Sequence, residues 1–165
     1  MPETKKYQDW LQTFTGCAYM ITFSVVPPAI IPVIWEKIQP FLKLVADVSS
    51  GDLTEESIFK DMCNGENVAV IVIDGYRIIG VNTLQIHTFN SGLKCLYVPI
   101  IGGERIDEWG EEFFCMCKEF AKQNGCTELR GMAARSGWLR KLKQHDLHWQ
   151  SCYEVIKYDL TGEQQ

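Results

Sequence analysis

Leu93-Lys94-Cys95-Leu96-Tyr97-Val98-Pro99-Ile100-Ile101-Gly102-Gly103 decides how this chain folds. Leu93 to Ile101 reads as a strand, and Gly102-Gly103 breaks it. Asp107 then opens a helix, in which Trp109, Phe113, Cys117, Phe120 and Ala121 form an apolar stripe at helical spacing. Gly125 ends that helix. Thr127 to Arg135 reads as the next strand, Leu139 to Leu147 as a short basic helix, and the stretch up to Leu160 as a closing strand. A strand-to-helix junction through glycines presents backbone N–H groups, and an anion such as a phosphate can sit there.

Working outward, Tyr19 to Val26 is β-rich and ends at Pro27-Pro28, which bar a helix interior or central strand. Ile34, Trp35, Ile38, Phe41, Leu42 and Val45 mark one face of a helix over 31–48, with Pro40 expected to kink it. Thr54 is a natural N-cap for a helix ending near Asn64-Gly65, with Ser57 read as an incomplete capping box. Val68 to Ile73 is unbroken apolar, which predicts a strand covered on both faces. Asp74-Gly75 signals a hairpin into Arg77–Thr88, and Asn90-Ser91-Gly92 turns into the next strand. Tyr7, Trp10, Leu11 and Phe14 suggest a short helix over residues 4–15. The order is β-α-α-β-β-β-α-β-α-β, an α+β chain whose mixed sheet is antiparallel first and then parallel across the long helix. Trp109, Phe113, Phe120, Val70, Ile71, Ile73 and Ile79 are the expected core.

With 165 residues, 46% of them hydrophobic, the chain predicts one domain over 1–165, its core at about 19–160. The net charge of −5 argues against general nucleic-acid binding. No apolar run approaches the roughly 20 residues that span a bilayer. Met1-Pro2-Glu3-Thr4-Lys5-Lys6 lacks the apolar block of a signal peptide, so a cytoplasmic protein is expected. Seven cysteines, an odd number, do not suggest a disulfide framework, and together with His87, His145 and His148 they form no spaced ligand set. No metal site is expected.

The element order, together with Gly102-Gly103-Glu104-Arg105-Ile106-Asp107-Glu108-Trp109, Asn124-Gly125-Cys126 and Ala134-Arg135-Ser136-Gly137-Trp138-Leu139-Arg140-Lys141-Leu142, resembles the GNAT superfamily of acyl-CoA N-acyltransferases, in particular GNAT-like proteins encoded by bacteriophages. The resemblance implies acetyl-CoA as cofactor, with Ile101, Gly102, Gly103 and Arg105 at its pyrophosphate and Arg135 and Arg140 as further basic groups. It also implies that a Gly103→Val change abolishes binding and spares the fold.

The same resemblance exposes departures. Glu104, Asp107 and Glu108 crowd the helix start with negative charge, and Asp107 reads as an N-cap. Leu142 stands where the family places a proton-donating Tyr. The strands 68–73 and 93–101 carry no carboxylate to act as base. Tyr97, Tyr153 and His145 are the remaining catalytic candidates, and a phenol with a reference pKa near 10 is a poor base. Two functions follow. One is an acetyl-CoA-dependent N-acetyltransferase with a degenerate site. The other is a non-catalytic virion component or interaction module, in the host cytoplasm or the virion, with other phage proteins or a second copy of itself as partners.

Overall fold

A computed structural model describes residues 21–132, 137–146 and 148–161. The chain divides into two compact units, Met1–Ala134 and Arg135–Gln165. The first holds β1 (Ile21–Val26), α1 (Ile31–Val48), α2 (Glu55–Asn64), β2 (Val68–Asp74), β3 (Arg77–Thr88), β4 (Lys94–Gly103), α3 (Ile106–Gln123) and β5 (Glu128–Gly131). The second holds α4 (Trp138–His145).

The sheet order is β1-β2-β3-β4-β5. The first three pairings are antiparallel, and β4 pairs with β5 in parallel, as the sequence predicts. The long helix between β4 and β5 supplies the connection that a parallel pair requires.

Two apolar layers sandwich the sheet. Val68, Val70 and Val72 of β2 pack with Trp109, Phe113, Met116, Cys117 and Phe120 of α3. Ala69 and Ile71 pack with Ile31, Ile38 and Leu42 of α1 and with Ile58 and Met62 of α2. The unbroken apolar run of β2 is therefore read correctly, because helices cover both of its faces. Trp109, Phe113, Phe120, Val70, Ile71 and Ile79 are buried as expected, while Ile73 is half-buried near the strand end.

Several local expectations are corrected. The capping box of α2 is complete: Ser57 N–H donates to Thr54 Oγ1, and Thr54 N–H to Ser57 Oγ, each at 3.0 Å. A serine hydroxyl reaches back as a Glu side chain would. β5 is four residues long rather than extending to Arg135. No closing strand forms over 151–160, which carries neither helix nor strand. A strand needs a neighbour to complete its ladder. The expected helix over 4–15 lies outside the described residues.

Two polar side chains in the middle of β3 have no hydrogen-bond partner among the described residues: Asn82 through both amide atoms and Thr83 through Oγ1. Both are fully buried. An unpaired buried hydroxyl costs roughly 1–3 kcal/mol. Thr83→Val, which replaces that hydroxyl with a methyl, is expected to stabilise the fold by about 1 kcal/mol in urea denaturation. A loss of stability would mean that Oγ1 has a partner after all.

Candidate functional site

The junction from β4 into α3 is built by close packing. Gly103 pairs with Gly80 across the ladder. A Cβ on Gly103 would lie 2.7 Å from Ile79 O, 2.8 Å from Gly80 Cα and 3.1 Å from the Trp109 ring. A Cβ on Gly80 would meet the same ring at 3.1 Å. The two glycines thus form the hollow that seats Trp109, whose Nε1–H donates to Glu104 O at 2.9 Å. Gly102 faces the other layer, where a Cβ would meet Phe41 O at 3.2 Å and Val45 at 3.3 Å. The expectation that Gly103→Val spares the fold is therefore corrected: the site has no room for a side chain.

Arg105, not Asp107, caps α3, in the left-handed conformation at φ 55° and with no side-chain cap bond. Asp107 belongs to the first helical turn. The Arg105 guanidinium is held from two sides. Nη1 donates to Asp74 Oδ2 at 2.6 Å, while Nε donates to Glu108 Oε1 at 2.9 Å and Nη2 to Glu108 Oε2. These bonds, Glu108 first, raise the Arg105 pKa, and Arg105 in turn lowers that of Glu108. Beside it, Arg77 Nη2 pairs with Glu104 Oε2 at 2.7 Å. Two amides at the junction are also engaged: Glu104 N–H donates to Ile79 O at 2.8 Å and Glu108 N–H to Arg105 O at 2.9 Å. The Arg105 guanidinium and these two amides thus already have partners within the chain.

The outer edge of β4 is different. Pairing with β5 runs from Cys95↔Glu128 to Val98↔Gly131 and ends there. β4 continues to Gly103 with no described strand beyond it. Hydrogen-bonded pairs alternate along an antiparallel ladder. The Glu104 N–H to Ile79 O bond fixes the phase, so Gly102 and Ile100 bond toward β3. Ile101 and Gly103 therefore turn their N–H and C=O groups to the outer edge. Between the two halves, Val98 and Pro99 together oppose Leu84, a one-residue bulge.

Tyr97 is half-buried on the face away from α3, in register with Gln85 on one side and Arg130 on the other. Arg130 donates through Nε to Glu128 at 2.6 Å and lies 4.7 Å over the Phe89 ring. In the second unit, Arg140 and Leu142 lie within α4, His145 is its last residue, and Tyr153 follows in the irregular segment. Arg140 packs beside Gly137, which caps α4 at φ 86°. Arg135 lies outside the described residues.

Burial pushes the Cys117 thiol well above its ordinary range, so it behaves as a core hydrophobe. No cluster of metal-ligating side chains occurs among the described residues. No described helix is long and apolar enough to cross a membrane.

Sequence reading missed the ionic partners Asp74 and Arg77, which it took only as turn and strand ends. It also missed the Gly80 hollow, although a lone glycine inside an apolar strand is a recognised sign of close backbone approach.

This is the fold of the GNAT acetyltransferases. The ribosomal-protein-alanine N-acetyltransferase from Brucella melitensis biovar Abortus 2308 superposes with a TM-score of 0.60 at 16% identity, covering 84% of this chain and 99% of that one. An aminoglycoside acetyltransferase from an uncultured soil metagenomic sample, in complex with sisomicin, gives 0.58 at 11% identity, covering 86% and 96%. An acetyltransferase from Trypanosoma brucei gives 0.57 at 12% identity, covering 85% and 99%. No family model matches the sequence. No curated protein matches it either.

Proposed function

We propose that this protein descends from acetyl-CoA-dependent N-acetyltransferases, is encoded by a bacteriophage, and has a degenerate catalytic site. The observation that carries the reading is the engagement of Arg105 by Asp74 and Glu108 at the start of α3. An anion there must compete with two carboxylates for one guanidinium. The outer edge of β4 still suits an extended, amide-bearing arm such as that of coenzyme A, which could add to the sheet as a strand does. Ile101 and Gly103 supply the amides. Leu142 cannot donate a proton, and Tyr97 is a weak base, so weak or absent binding without efficient transfer is the expected behaviour.

Titration with acetyl-CoA, followed by thermal shift and calorimetry, tests this. The wild type is expected to show no shift at micromolar ligand. Glu108→Ala, which releases one side of Arg105, is expected to bind at least about tenfold more tightly, equivalent to about 1.4 kcal/mol. Tight wild-type binding would overturn the degenerate reading. Failure of both proteins to bind at millimolar ligand would favour a non-catalytic interaction module on the same scaffold.

A further inference from the structure

The β2–β3 hairpin is regular as far as Val72 and Gly80. Pairing then skips Ile79 and resumes with Ile73 against Ile78 and Asp74 against Arg77. Ile79 is therefore a bulge, and its carbonyl accepts the Glu104 N–H of the β4–α3 junction at 2.8 Å. Beyond the bulge, Ile73 and Ile78 pack with the α1 layer. The tip that follows is short and open to solvent, with Gly75, Tyr76 and Arg77 all exposed.

Two ion pairs fasten this tip to the junction. Asp74 and Arg77 face each other across the mouth of the turn. Each reaches one of two consecutive junction residues: Asp74 takes Arg105 at 2.6 Å, and Arg77 takes Glu104 at 2.7 Å. Both pairs reach the surface, with Arg77 62% and Arg105 39% exposed. Ion pairs at such positions add little to stability, so a competing ion can undo the fastening. Two points of attachment nevertheless hold better than one. While Arg77 sits on Glu104, the Asp74 carboxylate stays beside Arg105 at a high effective concentration. An anion that seeks Arg105 must displace it from there.

We propose that the tip of the β2–β3 hairpin is an autoinhibitory strap, which Asp74 and Arg77 fasten across the junction and which keeps Arg105 from an anionic ligand. Unfastened, the tip swings away about the Ile73–Ile78 pair and leaves Arg105 to Glu108 alone. The inference rests on the reading of the junction given above and adds a moving part to it. It also gives Arg77 a role opposite to the one its charge suggests. A cation near an anion site ordinarily strengthens binding. Arg77 weakens it, because it holds the competing carboxylate in place.

Calorimetric titration of the full chain with acetyl-CoA up to millimolar ligand, with hydrogen exchange read across residues 73–79, tests this. Arg77→Gln removes a positive charge yet is expected to bind at least about threefold more tightly than the wild type. Asp74→Asn is expected to bind more tightly as well. Both should speed exchange at 73–79 by about threefold or more while leaving α3 and the rest of the sheet unchanged, which also shows that the variants are folded. Arg77→Gln binding that is unchanged or weaker overturns the strap, because simple charge would then account for Arg77. Exchange at 73–79 that does not change in either variant overturns it too. Tighter binding by Glu108→Ala alone overturns the strap and leaves the reading of the junction standing. If no variant binds, Glu108→Ala included, that reading fails and the strap fails with it.

Discussion

Gly103→Val is expected to destabilise the protein by roughly 3 kcal/mol or more, a large value for one substitution. The first added carbon already falls 2.7 Å from Ile79 O and 2.8 Å from Gly80 Cα, separations that real Cβ atoms do not show. Neither neighbour is a flexible side-chain end. Both are backbone in the adjacent strand, and the third obstacle, at 3.1 Å, is the fully buried Trp109 ring. Relief would require β3 and β4 to separate or Trp109 to leave its hollow and give up its bond to Glu104 O. Gly80→Ala, whose nearest contact is 3.0 Å, should cost less. Urea denaturation of the two variants gives the comparison, and a Gly103→Val loss below about 1 kcal/mol would show that the strands are not this tightly apposed.

Phe113→Ala is expected to cost about 3–5 kcal/mol. Phe113 is fully buried at the middle of the α3 layer. Its ring lies 6.0 Å from Phe23, 6.2 Å from Trp109 and 5.8 Å from Phe114, so it links β1 to α3. Truncation removes the transfer free energy of the ring and leaves a cavity that a sheet on one side and a helix on the other cannot readily close. Edge-to-face contact with Trp109, at 84° between planes, would also be lost. A cost below about 1 kcal/mol would mean that the site collapses freely around alanine.

Much of the fold was legible because periodicity and punctuation agreed. The even apolar run of β2, the hairpin at Asp74-Gly75 and the helical stripe through Trp109, Phe113 and Phe120 each pointed to one arrangement. The junction was legible only in outline. Glycines before a helix suit an anion loop and suit close strand packing equally well, and nothing local separates the two. Only the fold brings Trp109 over Gly80 and Gly103. The acidic crowding around Arg105 was visible as composition, but its pairing with Asp74 joins residues 31 positions apart, beyond any local pattern. The closing strand expected up to Leu160 does not form, since a strand needs a partner that local sequence cannot guarantee.

The bulge in β4 bears on how this chain's length can change through descent. Val98 packs in the α3 layer and Ile100 in the α1 layer, although they are two residues apart. Pro99 is thus a supernumerary residue, absorbed between two regular ladders without reversing the side chains that follow. A lineage that lost it would join Val98 directly to Ile100 and keep Ile101 through Gly103 on their present faces. Loss of a residue beyond the bulge, at Ile101 or Gly102, would instead exchange the layers of everything between it and α3. Gaps between this chain and its relatives should therefore be tolerated at the bulge and purged just after it.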